Sequence, residues 1–212
     1  EKIYLMGESW GSALGIFLIA RYPESYHAFI GTGQMIDFAE TEKIDYYKAL
    51  ELAEENGNTK LVKKLLANGE PPYYGKDLVW KSALYLNYLS EIMASTSGVH
   101  NPGYNTFRDI FSPEYGVLDK INFFRGVINT FNHVYRQLYE IDLRKDYAEL
   151  DVPVYFFLGR YDLNAPTSLV EEYVQVLDAP DKEIVWFEHS AHNPWINESA
   201  KFIGEVLSCF LR

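Results

Sequence analysis

Lys2-Ile3-Tyr4-Leu5-Met6-Gly7-Glu8-Ser9-Trp10-Gly11-Ser12-Ala13-Leu14-Gly15 decides the fold. Ile3 to Met6 is short, apolar and stopped by glycine, which is how a buried strand reads. Ser12 to Tyr22 has helical character, and Pro23 marks its end. Between them lies Gly7-x-Ser9-x-Gly11. A serine on so sharp a strand-to-helix turn must hold a strained backbone conformation. The residues two before and two after it must have almost no side chain, or strand and helix collide. The turn lifts the hydroxyl clear of the sheet. It also directs the Trp10 backbone N–H and the helix N-terminus at a reacting carbonyl. Five residues alone match by chance, and the bland alternative is a glycine-rich turn with a capping serine. The strand–turn–helix context and two further pieces downstream give the motif its weight.

Working outward, His27 to Gly31 reads as a second strand. From Met35 to about Leu150 strand patterns vanish and helical periodicity takes over. Helices are expected at Glu42–Glu55, from Asn58-Thr59 to Ala67, at Lys76–Ala94, and at Gly116–Tyr139 as one long helix or a broken pair, with one more turn at Phe107–Phe111. Val152 to Gly159 is dense and apolar, a strand buried on both faces, and it ends in Gly159-Arg160-Tyr161-Asp162. A helix follows from Ala165 to Leu177, with Ser168 and Glu171 as its expected capping box. Lys182 to Phe187 is the next strand, leading into Glu188-His189-Ser190-Ala191-His192-Asn193-Pro194. An amphipathic helix over Glu198–Leu211 closes the chain. The expected organisation is a sheet-bearing α/β core formed by residues 1–34 and 149–212, with an all-helical cap over 35–148. Most of the cap's aromatic side chains should form its own core. A few should wall the space over the serine.

Two phosphate-loop look-alikes fail. The glycine that would complete a dinucleotide fingerprint after Gly31-x-Gly33 falls on Ile36. Gly69 to Lys76 has one residue too many for a Walker loop, and Asp77 stands where Ser or Thr is needed.

Ser9, Asp162 and His192 occur in the order Ser…Asp…His, and each follows an expected strand end. All three can therefore meet at the carboxyl edge of a parallel sheet. The chemistry asks for these types: a serine hydroxyl is a poor nucleophile until a base takes its proton. His192 would take that proton and return it to the leaving group. Asp162 would fix the imidazole tautomer and stabilise the imidazolium. His189 is the rival base, at a strand end where side chains more often pack or cap. Asp142, Asp146 and Asp151 are rivals to Asp162, but none follows a strand.

The 212 residues carry 19 Lys and Arg against 30 Asp and Glu, a net charge of −11. With no basic stripe, nucleic acid and anionic membranes are not expected partners, and no apolar run is long enough to cross a bilayer. The single cysteine, Cys209, cannot form an internal disulfide, which fits a reducing, cytoplasmic setting; it reads as a core thiol of the last helix. No cluster with metal-ligand spacing appears, and no metal or cofactor is expected.

The elbow Gly7-Glu8-Ser9-Trp10-Gly11-Ser12, the acid motif Gly159-Arg160-Tyr161-Asp162 and Ser190-Ala191-His192-Asn193-Pro194 resemble α/β-hydrolases near the proline iminopeptidases. The resemblance implies a serine hydrolase working through an acyl-enzyme on a small-molecule or short-peptide substrate, as an aminopeptidase or a carboxylesterase. It also implies an oxyanion hole that includes the Trp10 N–H. In that family, cap carboxylates hold the substrate's free amino end. Glu40 and Glu42 are the nearest candidates here, although a solvated face is the expected setting for each. By the same resemblance the elbow strand is the fifth of eight. The earlier strands and a His-Gly-Gly-type oxyanion loop have no counterpart, and the first strand would leave an apolar edge open. The expectation is a C-terminal piece of a longer hydrolase, with the N-terminal half supplied by a companion chain or lost. A non-catalytic binding protein of the same fold is the alternative.

Overall fold

The computed structural model describes residues 1–100 and 109–210. Its centre is a four-stranded parallel sheet in the order β1 (Ile3–Glu8), β2 (Tyr26–Thr32), β3 (Val154–Gly159), β4 (Lys182–Phe187). Helix α1 (Trp10–Arg21) connects β1 to β2. Helices α2 (Phe38–Glu55), α3 (Thr59–Asn68), α4 (Leu78–Ser95), α5 (Val117–Leu138) and the short α6 (Leu143–Asp146) lie between β2 and β3. Helix α7 (Thr167–Val176) joins β3 to β4, and α8 (Pro194–Asn197) and α9 (Ser199–Phe210) follow.

The period-2 alternation of the central strands sorts their side chains into two layers. Phe29, Val154, Phe156 and Leu158 face one side and pack with Ile16 and Ile19 of α1 and Leu169, Val170 and Tyr173 of α7. Ile30, Tyr155 and Phe157 face the other side and pack with Phe187, Phe202 and Cys209. Every residue of β3 is buried, as its unbroken apolar run requires. β1 is one of the two outer strands of the described sheet, and Ile3 and Met6 on it stay more than half exposed. The helices between β2 and β3 have a core of their own, built on Tyr46, Ala49, Leu65, Tyr85, Leu89 and Tyr135.

Element boundaries moved for local reasons. α2 begins at Phe38, four residues ahead of expectation, because the Asp37 carboxylate accepts the Glu40 N–H at 2.8 Å and caps the helix there. The Ser168–Glu171 capping box does not form. The helix starts at Thr167, so Ser168 lies inside its first turn rather than at the cap; Pro166 holds the cap position with no side-chain cap bond. Val117–Leu138 is one unbroken helix. Of the helical turn expected over Phe107–Phe111, Phe107 and Arg108 lie outside the described residues.

The chain leaves the sheet layer at Asp37 and returns at Asp142, where the two residues form an antiparallel bridge. Arg144 ties this crossing together. Its Nε donates to Asp142 at 2.9 Å, Nη1 to Glu172 at 2.7 Å, and Nη2 to Glu40 at 2.5 Å and Asp37 at 3.3 Å. One guanidinium thus offsets two largely buried carboxylates whose mutual repulsion would push the crossing strands apart. Arg144→Met should cost about 2 kcal/mol, seen calorimetrically as a Tm lowered by roughly 4–8 °C. An unchanged Tm would mean that apolar packing alone holds the crossing.

Candidate functional site

Ser9 sits at the carboxyl end of β1 with φ 52° and ψ −121°, and among the described residues it is the only non-glycine with positive φ. A side chain there is strained by about 1–3 kcal/mol, so neighbours must hold it. They do so through the backbone. Ser9 N–H donates to the Thr32 carbonyl of β2 at 3.0 Å, and the Ser9 carbonyl accepts from Ser12 N–H at 2.9 Å and from the Ser12 hydroxyl at 2.5 Å. The same hydroxyl accepts from Met35 N–H at 3.0 Å, which ties the loop after β2 to the first turn of α1.

The two motif glycines are not equivalent. A Cβ on Gly7 would stand 2.4 Å from the Gly11 carbonyl oxygen, so strand and helix backbones meet there. A Cβ on Gly11 would meet no described atom within 4 Å. The expectation that both flanks must be bare is therefore corrected: only the strand-side glycine is required by contact.

Asp162, past the end of β3, accepts from Asn164 N–H at 2.8 Å and Ala165 N–H at 3.0 Å through Oδ1. Its Oδ2 lies 2.9 Å from His192 Nδ1. Both side chains are largely buried. Burial alone would lower the imidazole pKa, but the Asp162 charge, its hydrogen bond and the charge of Glu8 outweigh it and hold His192 above the usual histidine value. With Nδ1 donating to the carboxylate, Nε2 is the free nitrogen of the neutral ring.

The loop carrying His192 is pinned at several points. Ser190 donates to Glu198, Ala191 N–H donates to Asn197 Oδ1 at 3.0 Å, and Asn193 and Trp195 both donate to Glu8 Oε1. Glu8, the variable residue before the serine, thus anchors the histidine loop. The sequence hides this, because the two partners lie 185 and 187 residues away. Gly33 (φ 51°) borders the imidazole so closely that a Cβ would stand 2.6 Å from His192 Cε1. Two of the rival groups are engaged elsewhere: His189 stacks on His100 with ring centroids 3.9 Å apart, and Asp142 binds Arg144 and Lys145.

Ser9, Trp10 and His192 line one cavity of about 450 Å³. Met35, Phe38, Leu86, Phe131 and Tyr135 form its apolar wall, and the Trp10 ring packs against Phe131 and Tyr135 at 5.2 and 4.9 Å between centroids. Three acids also line it: Glu8, already bonded to Asn193 and Trp195, and Glu42 and Asp45 of α2. Glu42 is 5% exposed and Asp45 1%, which corrects the expectation that Glu42 belongs to a solvated face. Burial pushes the Glu42 carboxyl up to about 7, against the lowering effect of the Tyr139 hydroxyl, which donates to Oε2 at 2.8 Å. Burial, then the nearby charges of Asp162 and Glu42, raise Asp45 well above the carboxylate range. Glu42 Oε1, Asp45 Oδ1 and the Asn164 Oδ1 on the same cavity accept no hydrogen bond of full geometry among the described residues, although the Tyr85 hydroxyl stands near enough to Glu42 to lower its pKa. Glu40, the other sequence candidate, points its carboxylate to Arg144 instead. No group of three or more His, Cys, Asp or Glu side chains that could hold a metal occurs among the described residues. No described helix is long and apolar enough to cross a membrane.

A parallel sheet with helices on both faces, a serine elbow at one strand end and a helical insertion after the next strand make up the α/β-hydrolase fold, and solved structures of that fold match the whole chain. VinJ superposes with a TM-score of 0.65 at 17% identity, covering 99% of this chain and 65% of that one. Proline iminopeptidase from Mycobacterium smegmatis gives 0.60 at 17% identity, with 99% and 65% covered. In sequence, the probable aminopeptidase YbaC of Bacillus subtilis (strain 168) is 28% identical over 211 residues, 97% of this chain and 64% of that protein. The chain thus spans just under two thirds of the length of these relatives. No family model matches it.

The elbow contacts make a direct prediction. Gly7→Ala should lower stability by about 1–3 kcal/mol or more by driving strand and helix apart. Gly11→Ala should leave Tm unchanged or raise it, since alanine suits a helix better. Equal losses from both substitutions would contradict the asymmetry.

Proposed function

We propose that the chain is the nucleophile-bearing part of a serine hydrolase that cleaves the acyl bond of small aminoacyl or short-peptide substrates with a free ammonium end. In this reading the Ser9 hydroxyl attacks the substrate carbonyl and His192 Nε2 takes its proton. Asp162 holds the ring and offsets the imidazolium charge. The tetrahedral oxyanion draws on the Trp10 N–H at the start of α1. The protonated His192 then returns its proton to the leaving amine or alkoxide. Water, activated by the same histidine, releases the acyl group from Ser9. The helices between β2 and β3 serve as a cap that keeps this exchange dry.

The observation that carries the choice of substrate is the set of unpaired acceptors: Glu42 Oε1, Asp45 Oδ1 and Asn164 Oδ1, on the same cavity as Ser9. Buried acceptors without donors are costly. An ammonium brings three N–H donors and a positive charge, which suit acceptors of this kind and favour the ionised acids. A neutral ester satisfies none of them. The likeness to a probable aminopeptidase and to a proline iminopeptidase supports the same choice.

The test separates Glu42 from His192 by pH. Glu42 must be ionised to receive a cation, and its carboxyl stands at about 7. For aminoacyl anilides, kcat/KM should therefore rise as pH rises through about 7, on top of the rise that follows deprotonation of His192. Glu42→Gln should remove that component and cost about a hundredfold on aminoacyl substrates, with a far smaller loss on an uncharged ester of the same size. The same substitution should stabilise the fold at pH 8. A carboxyl raised in the folded state contributes its stability below its unfolded pKa and loses it as pH climbs through about 7. The glutamine variant keeps what the wild type has lost, up to about 3 kcal/mol. Equal losses on anilide and ester would remove Glu42 from ammonium binding.

A further inference from the structure

Glu8 occupies a position of the elbow that the turn itself leaves open, between the strand-side glycine and the nucleophile. Its carboxylate has two partners near the other end of the chain. Asn193 Nδ2 and Trp195 Nε1 both donate to Oε1, at 2.5 and 3.1 Å. Asn193 directly follows His192, and the His192 ring borders the same cavity as Glu8 and Ser9. The residue before the nucleophile therefore holds the residue after the base.

A hydrogen-bond acceptor is all that Asn193 and Trp195 require of it, and a glutamine would supply one. The negative charge is a separate matter. An oxyanion must form in this cavity, which Glu42 and Asp45 already line, and no lysine or arginine among the described residues lines it. A further carboxylate there opposes the oxyanion. It favours one species of the reaction, the imidazolium of His192. The charged and titratable groups around that ring are Asp162, bonded to Nδ1, Glu8 at the end of β1, and Glu42 and Asp45 of α2 on the same cavity. His189 and Glu198 stand at the other end of the histidine loop, where the His189 N–H donates to the Glu198 carboxylate. Burial works to lower the imidazole pKa, and the charges of Asp162 and Glu8, with the Asp162 hydrogen bond, overcome it. Gly33 packs so closely on the ring that a Cβ would stand 2.6 Å from Cε1, so these charges act on a ring held in place.

We propose that Glu8 is a positioning residue for the reaction: through Asn193 it holds the loop that presents His192 to Ser9, and its charge stabilises the imidazolium in both halves of the acyl transfer. The inference rests on the serine-hydrolase reading above. In the first half, Ser9 Oγ passes its proton to His192 Nε2 as the bond from Oγ to the substrate carbon forms. The ring returns that proton to the leaving atom as its bond to carbon breaks. In the second half, water gives the proton and Ser9 Oγ receives it. Glu8 makes and breaks no bond in either. The same imidazolium forms whatever the substrate, so a charge that favours it acts alike on aminoacyl compounds and on uncharged esters. That separates Glu8 from Glu42, whose charge serves a cationic substrate. The drawback lies at acid pH, where a stabilised imidazolium leaves fewer molecules with a free base.

The test reads the imidazole and the chemistry separately. Nuclear magnetic resonance of protein carrying isotope-labelled histidine follows the His192 ring with pH in wild type, Glu8→Gln and Trp195→Phe; the His192 signal is the one absent from His192→Gln. Glu8→Gln keeps an acceptor for both donors and removes the charge, so the His192 titration should move to lower pH. Trp195→Phe removes one bond and keeps the charge, so the titration should stay in place. Thermal unfolding of each variant checks that the fold survives. In turnover, the acid limb of the kcat/KM profile of Glu8→Gln should shift the same way. Its kcat on the plateau should fall about fivefold, on aminoacyl anilides and uncharged esters alike, with KM little changed. Glu8→Ala, which also removes the anchor of the histidine loop, should lose about a hundredfold. A His192 titration unmoved in Glu8→Gln would overturn the assignment. So would a loss confined to aminoacyl substrates, which would make Glu8 a contact of the substrate's ammonium. An equal shift in Trp195→Phe would also overturn it, because the effect would then be one of loop position alone. Turnover absent from the wild type, with the titration moving as expected, would sink hydrolysis while leaving the coupling of Glu8 to His192 standing.

Discussion

The backbone of Ser9 is the constraint on which the rest depends. A non-glycine residue at φ 52° persists only where its surroundings leave no alternative. Here the surroundings come from three directions. The parallel register of β1 and β2 places the Thr32 carbonyl under the Ser9 N–H. The contact of Gly7 with the Gly11 carbonyl lets helix follow strand without a gap. Ser12, fully buried, bonds both the Ser9 carbonyl and the Met35 N–H. The buried phenylalanines of β2 and β3 keep the sheet rigid enough to bear this, each worth about 1.5–3 kcal/mol of burial. The strained turn is thus supported by ordinary packing elsewhere.

The electrostatics of the cavity set a second condition. Glu42 and Asp45 share a cavity with His192, whose ring Asp162 holds, and burial first, then the charges of Asp162 and Glu42, raises Asp45. Ionising Glu42 and Asp45 together in a buried, largely apolar space is unfavourable, so both hold protons more tightly than surface acids do. Stability and ligand binding therefore pull in opposite directions. The fold is better off with these acids neutral, whereas a cation is held only when they are charged. A site that gives up stability in this way is the usual sign of a functional group rather than a structural one.

What the sequence revealed was local. The elbow, the acid after β3 and the histidine after β4 each lie at the end of a readable strand, because strand, turn and helix signals sit within a few residues of them. Partners distant in the chain did not announce themselves. Glu8 is an unremarkable position inside the motif until folding brings Asn193 and Trp195 to it. Glu42 sits in a charged run, Glu40-Thr41-Glu42-Lys43, that reads as solvent-facing. The helical phase held the missed signal: Phe38, Thr41, Glu42, Asp45, Ala49 and Ala53 recur at three- and four-residue intervals, and all are buried. Two acids on that stripe mark a buried polar site once the helix is started at its Asp37 cap. The bareness of Gly11 was over-read, since whether a helical glycine is packed or free depends on what stands opposite.

The measurement that bears most directly on the account is covalent labelling of the protein by a small fluorophosphonate, followed by intact mass and peptide mapping. The account predicts one adduct, on Ser9, absent from Ser9→Ala and strongly slowed in Asp162→Asn, where the histidine loses the carboxylate that orients it. Labelling elsewhere, or labelling of Ser9 that is indifferent to Asp162, would contradict it. The serine would then occupy a strained turn without the base that makes it a nucleophile.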